Sequence, residues 1–213
     1  MNEQYEVEIK VEVSARNGER WLAELLTKIR SLHGQVCMTR LETTDTYVFA
    51  SPVAMVDRYD YSYVRVRRDQ EYDQGRFVKA TADITTKKWE TVGNTFTRKE
   101  TVGSLTLGGY EFVLGLFPNP DCTISKKRQA SIFQVEFASG STHQAVVACD
   151  QVIFSGATQS RFFVEAEIIV EHKSQVSEAR DALRRLLKQV LDVAPDQNLH
   201  ESPSYFALAM QGK

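Results

Sequence analysis

Polar and apolar residues alternate with a period of two near the start of the chain. Glu6, Glu8 and Lys10 fall on one face of Glu6-Val7-Glu8-Ile9-Lys10, and Val7, Ile9 and Val11 fall on the other. That spacing predicts a strand with one charged and one apolar face. The same alternation returns in Tyr63–Arg68, where Arg65 and Arg67 share a face, in Phe96–Val102 (Arg98 with Glu100) and in Ile124–Arg128 (Lys126 with Arg128). Phe162–Val170 carries a second acidic pair, Glu165 and Glu167, on a background of β-branched and aromatic residues that supports a strand. Two segments instead repeat at helical spacing. One follows Asn17 as a cap, with Trp21, Leu22, Leu25, Leu26 and Ile29 on one side and Gly34 as the stop. The other runs from about Ser177 to Val193, with Ala179, Leu183, Leu186, Leu187 and Val190 inward and Arg180, Arg184, Arg185 and Lys188 on a basic outer side. The apolar run from Gly108-Gly109 to Pro120 reads as a short helix or buried turn that serves packing. Turn signals stand at Gly93-Asn94, Gly108-Gly109, Pro118-Asn119-Pro120 and Ser139-Gly140-Ser141.

Strands that begin and end on acidic pairs, with basic pairs between, predict a single domain over residues 1–213. Its class is α+β, a closed antiparallel barrel with helices packed outside. In a barrel the charged faces would share one lumen; on an open sheet they would be the ordinary wet face of a half-buried strand. Carboxylates two apart on a strand suit a divalent cation such as Mg²⁺ or Mn²⁺, and a neighbouring lysine suits phosphate oxygens beyond the reach of the ion.

Composition narrows the classes. The 213 residues carry a formal net charge of −2, which argues against a broad nucleic-acid-binding surface while allowing a local anion site. Cys37, Cys122 and Cys149 have neither zinc spacing nor a disulfide framework. With no spanning apolar run or leader signal, the expected location is cytoplasmic, with no membrane partner. Oligomeric state is not legible.

The order of these motifs resembles the CYTH superfamily, the triphosphate tunnel metalloenzymes that include class IV adenylyl cyclases, thiamine triphosphatases and inorganic tripolyphosphatases. Glu6–Lys10 resembles the family's ExExK signature, Asp45-Thr46-Tyr47 its D-x-Y segment and Arg65-Val66-Arg67 its R-x-R strand. Thr85-Thr86-Lys87 resembles the T-x-K strand, with Lys79 and Lys88 as competing lysines, because the stretches Asp69–Lys79 and Lys88–Thr95 lengthen the middle hairpins. Arg98-Lys99-Glu100 is similar to R-x-E and Lys126-Lys127-Arg128 to K-x-R. Asp150-Gln151-Val152, Gly156, Glu165-Ala166-Glu167 and Ser204-Tyr205 are similar to the family's closing motifs.

The resemblance implies a basic tunnel in which Lys10, Arg65, Arg67, Lys87, Arg98, Lys126 and Arg128 bind a triphosphate. It also implies Glu6, Glu8, Glu165 and Glu167, with Asp150 and Glu100, as ligands of Mg²⁺ or Mn²⁺, and Glu6 and Glu8 as the catalytic pair. The reaction so implied is hydrolysis of tripolyphosphate, thiamine triphosphate or ATP. The alternatives are a cyclase that makes cyclic AMP and pyrophosphate, and a non-catalytic polyphosphate-binding module. Tyr47, Phe49, Tyr59, Tyr61, Tyr63 and Trp89 are candidates for a base pocket, although aromatic residues in strands are more often core.

Overall fold

The computed structural model describes residues 5–13, 18–32, 35–54, 59–92 and 95–211. Asn17, Gly34 and the Gly93-Asn94 turn lie outside the described residues. In chain order the elements are β1 (Tyr5–Val13), α1 (Gly18–Ser31), β2 (Gln35–Ala54), β3 (Tyr59–Asp73), β4 (Arg76–Val92) and β5 (Thr95–Leu105). There follow α2 (Leu107–Leu116), β6 (Cys122–Glu136), β7 (Thr142–Phe154), β8 (Arg161–Val170), α3 (Val176–Leu191) and α4 (Tyr205–Gln211).

The strands close into an antiparallel barrel in the order β1-β5-β4-β3-β2-β6-β7-β8, as the alternation predicts. Closure is made between β1 and β5 by the short register Tyr5↔Lys99 and Glu6↔Arg98, and it gives every strand an inward and an outward row. On the outside of β1, β7 and β8, Val7, Ile9, Val147, Val164, Ala166 and Ile168 form one apolar core with Leu25 and Ile29 of α1 and with α3. The α3 stripe is buried as its spacing requires, Leu183 and Leu187 completely. Truncating either to alanine is expected to cost about 2–5 kcal/mol through lost burial and the cavity left behind. Asp192, in the left-handed region at φ 56°, ends that helix. The side chains of Trp21 and Leu22 are outside the described ones.

Two expectations need correction. Gly108 and Gly109 lie inside α2 and form no turn. Thr106 accepts a hydrogen bond from the Gly109 N–H, and Tyr110 is buried against Val66 and Ala82, so capping and packing outweigh the low helix propensity of glycine. The α2 run is also only partly packing, since Phe112 and Leu116 face solvent at 67% and 58% exposure. The second correction concerns α4, which does not pack outside the barrel. Its Phe206 packs among Tyr47, Tyr61 and Tyr63, and Tyr205 packs against Phe163, so the helix caps one end of the lumen. The lengthened β3–β4 hairpin turns on Gln74 and Gly75, both at positive φ, the geometry that two-residue hairpin loops require. Among the described residues no helix is long and apolar enough to cross a membrane.

Candidate anion and metal site

The barrel register decides which side chains meet. Across β1 and β8, Glu8 stands opposite Glu167 and Lys10 opposite Glu165; across β2 and β3, Asp45 stands opposite Arg67. Lys87 pairs with Glu100, and Arg128 with Asp150. All of these occupy the inward row. They surround a cavity of about 140 Å³ whose charged lining is Glu6, Glu8, Glu100, Glu165 and Glu167 with Lys10, Arg65, Arg67, Lys87, Lys126 and Arg128. Tyr47, Tyr63, Ile169 and Tyr205 complete it. Arg98 pairs through its backbone with Glu6 and Trp89, and its side chain lies outside the described ones. Of the three lysines that compete for the T-x-K position, Lys87 lines the cavity, Lys79 pairs with Glu71 on the exposed hairpin and Lys88 is exposed.

The basic arc, on β2, β3 and β6, is organised by Asp45, which is wholly buried. Arg67 donates to it through Nε at 2.7 Å and through its terminal nitrogen at 3.1 Å; Lys126 Nζ lies 2.8 Å away and Arg65 Nε 3.6 Å away. Burial alone would push the Asp45 carboxyl up, but the charges of Arg67, Lys126 and Arg65 outweigh it and hold the group well below the carboxylate range. Burial pulls the Lys126 ammonium down to about 8, and Arg67 and Arg128 add to that, because the single charge of Asp45 is shared among three cations. Arg65 also donates to Thr85 Oγ1 at 3.2 Å.

The acidic seam, on β1 and β8, is arranged differently. Lys87 donates to both oxygens of Glu6 at 2.9 Å, and Lys10 bridges Glu8 at 2.7 Å and Glu165 at 2.9 Å. Arg128 clamps Asp150 through two parallel bonds of 2.8 and 2.6 Å and reaches Glu165 at 2.6 Å. Asp150 is buried behind Arg128, and its second oxygen also accepts from the Tyr205 hydroxyl at 2.6 Å. Burial raises Glu165, yet Lys10, Arg128 and Lys126 hold it well below its usual value. Glu167 has no hydrogen bond or ion pair among the described residues. Burial, reinforced by the charges of Glu6 and Glu165, pushes its carboxyl up to about 7.

Oxygen donors on facing strands are the donor type that Mg²⁺ and Mn²⁺ accept, and Glu167, opposite Glu8, feels the charges of Arg128 and Lys87 but makes no ion pair among the described residues; both points fit a cation there. No three Asp, Glu, His or Cys side chains among the described residues converge into a ligand set. The reason is visible in the ion pairs: Lys87 and Lys10 hold Glu6 and Glu8. A cation would take these carboxylates only as the ammonium groups turn to another anion.

Sequence reasoning placed Asp45 and Tyr205 in motifs but gave neither a role, and both are organisers of the site. The inward parity of Asp45 is readable from Asp45 and Tyr47, but its three cationic partners depend on register with β3 and β6. Tyr205 begins an apolar run, and its likeness to a closing Ser-Tyr motif does not say which side chains it meets. The aromatic candidates Tyr47 and Tyr63 are both core and lining. The basic side of α3 is committed elsewhere: Arg180 and Arg184 bind Glu201, Arg185 donates to the Glu136 carbonyl and Lys188 to the Pro195 carbonyl.

No family model matches the chain, and no curated protein matches it. Solved structures do. A protein from Pyrococcus horikoshii OT3 aligns over 96% of this chain and 98% of its own, with a TM-score of 0.56 and 15% identity. A conserved hypothetical protein from Pyrococcus furiosus aligns over 87% and 90%, with a TM-score of 0.51 and 17% identity. At these identities the likeness is one of fold alone, which in this chain is a closed eight-stranded antiparallel barrel with four α-helices among the described residues.

Proposed function

We propose that this protein is a divalent-metal-dependent hydrolase of an inorganic or organic triphosphate bound in the barrel lumen, as the CYTH resemblance implies. The observation that carries the reading is the convergence of six cationic side chains from four strands on one cavity beside a carboxylate, Glu167, that makes no ion pair among the described residues. Cations on opposite walls match a chain of phosphates, and guanidiniums clamped at one edge keep other N–H donors for phosphate oxygens.

The roles follow from position. Arg65, Arg67, Lys126 and Arg128 would bind the phosphate chain and hold its terminal phosphorus in line with water, while Lys10 and Lys87 would exchange their glutamate partners for phosphate oxygens. Glu8 and Glu167, with Glu6 beside them, would hold the metal, which when bound supplies charge neutralisation at phosphate oxygens. Glu6 or Glu8 would take the proton as the water oxygen bonds to phosphorus and the bond to the bridging oxygen breaks. Hydrolysis is favoured over cyclisation because the lining is mainly charged. A cytoplasmic setting belongs to the same proposal, in keeping with the lack of zinc spacing or a disulfide framework in the sequence positions of Cys37, Cys122 and Cys149.

The test is product analysis with Mg²⁺ or Mn²⁺ and tripolyphosphate, thiamine triphosphate and ATP offered in parallel. Release of phosphate is expected. Cyclic AMP with pyrophosphate would make the protein a cyclase, and tight binding without product would make it a binding module.

A further inference from the structure

We infer that Tyr205 is a positioning residue of the anion site: its hydroxyl fixes Asp150, and through it Arg128, while its ring carries the Lys10 ammonium. This inference rests on the proposed use of the lumen for phosphate. The geometry is a chain of contacts. The Tyr205 hydroxyl donates to Asp150 Oδ2 at 2.6 Å, and that carboxylate accepts from Arg128 Nε at 2.8 Å and from its terminal nitrogen at 2.6 Å. Asp150 is 1% exposed, so it meets no ligand directly; its two oxygens are taken up in orienting the guanidinium. On the other side of the ring, Lys10 Nζ stands 3.9 Å from the centroid and Lys126 Nζ 5.2 Å, close enough for the ring quadrupole to hold a desolvated ammonium.

The segment that leads to Tyr205 is tied to both β1 and α3. Ser202 donates its N–H to the Lys10 carbonyl at 2.7 Å and accepts from the Glu12 N–H at 3.1 Å, which ties the approach to α4 onto β1. Glu201 binds Arg184 at 3.1 Å and also Arg180, which ties it to α3. Ser204 then caps the helix by accepting from the Ala207 N–H. A side chain that only filled the end of the barrel would need neither the hydroxyl nor this alignment with two cations. The segment thus reaches cations on β1 and β6 through one side chain.

The experiment compares Tyr205→Phe, which keeps the ring, with Phe206→Leu, which loosens the neighbouring packing and touches none of these polar groups. Two readouts are taken: water exchange of the Arg128 Nε–H by nitrogen-15 NMR without ligand, and calorimetric binding of inorganic tripolyphosphate with Mg²⁺, alongside KM and kcat. In Tyr205→Phe the Nε–H is expected to exchange about tenfold faster, tripolyphosphate to bind about five- to tenfold more weakly, KM to rise in step and kcat to stay within about twofold. Phe206→Leu is expected to lower Tm while leaving exchange and affinity at wild-type values. Unchanged Arg128 exchange in Tyr205→Phe, or an equal loss of affinity in Phe206→Leu, overturns the positioning role. Failure of the wild-type protein to bind tripolyphosphate overturns the functional reading instead, and the exchange measurement still decides the link from Tyr205 to Arg128.

Discussion

The basic arc and the acidic seam are built from the same strand geometry and reach opposite electrostatic ends. In the arc, register sets Asp45 against Arg67, so opposite charges meet and a buried carboxylate holds three cations in place before any ligand arrives. In the seam, register sets Glu8 against Glu167, and directly opposed like charges weaken a strand pair. One wall is preformed and the other is held by exchangeable lysine bridges. The difference teaches that the anion-binding half can be stable alone, whereas the carboxylate half is stable at the expense of partners a polyanion would also claim. Five carboxylates and six cations line the cavity, with Asp45 and Asp150 directly behind them, so these described side chains give the lumen no net positive charge with which to draw in a bare polyanion.

The comparison breaks most severely at Asp45. Asp45→Ala should strand three buried cations and cost about 3–5 kcal/mol in urea unfolding, the penalty for removing one partner of a buried pair. An undisturbed midpoint would mean that the arc does not depend on its aspartate. Next is the seam itself. Glu8→Gln should lower kcat at least about 100-fold if the carboxylate takes the proton or helps to hold the metal, while tripolyphosphate binding in the presence of a chelator becomes tighter than in wild type. Weaker metal-free binding would sink the charge balance argued above.

A smaller effect separates the two walls by pH. The Glu167 carboxyl is raised in the folded state to about 7, so between its unfolded value near 4.5 and that point the folded chain holds a proton that the unfolded chain releases. Wild type should therefore lose stability relative to Glu167→Gln as pH rises through this window, by about 1–2 kcal/mol after allowing for partial exposure, and level off above it. Mn²⁺ should shrink the difference. Thermal melts of both proteins across pH 4–8, with and without the ion, would reveal a flat difference if the seam carried no strain. Least affected should be Lys79→Ala, a surface pair with Glu71, at under about 0.5 kcal/mol and with unchanged turnover. Lys87→Ala in the same assay should lose binding, which tests the choice between these lysines.

Faces were legible in the sequence because side-chain direction in a strand has a period of two; partners were not. Glu6, Glu8 and Lys10 announce a charged face, yet nothing in them says that Lys87 will hold Glu6. Asp45 is a single acid in a threonine-rich stretch, and its importance arises from strands about 20 and 80 residues further on. Tyr205 belongs to a short apolar helix whose destination depends on a closed barrel with room at one end. Gly108-Gly109 misled for the opposite reason, because a strong local turn signal yielded to the burial of Tyr110.

The place of β1 in the barrel also bears on how the chain folds. That strand is stitched between β5 and β8, Glu6 facing residue 98 on one side and residue 169 on the other, so its pairing must close loops of about 90 and 160 residues. Contacts so distant along the chain are slow to form, and stopped-flow refolding should be limited by this final zipping. Glu8 sits on that last strand and its opposed carboxylate Glu167 on β8, so their mutual proximity is imposed only after the other strands have formed a frame able to contain it.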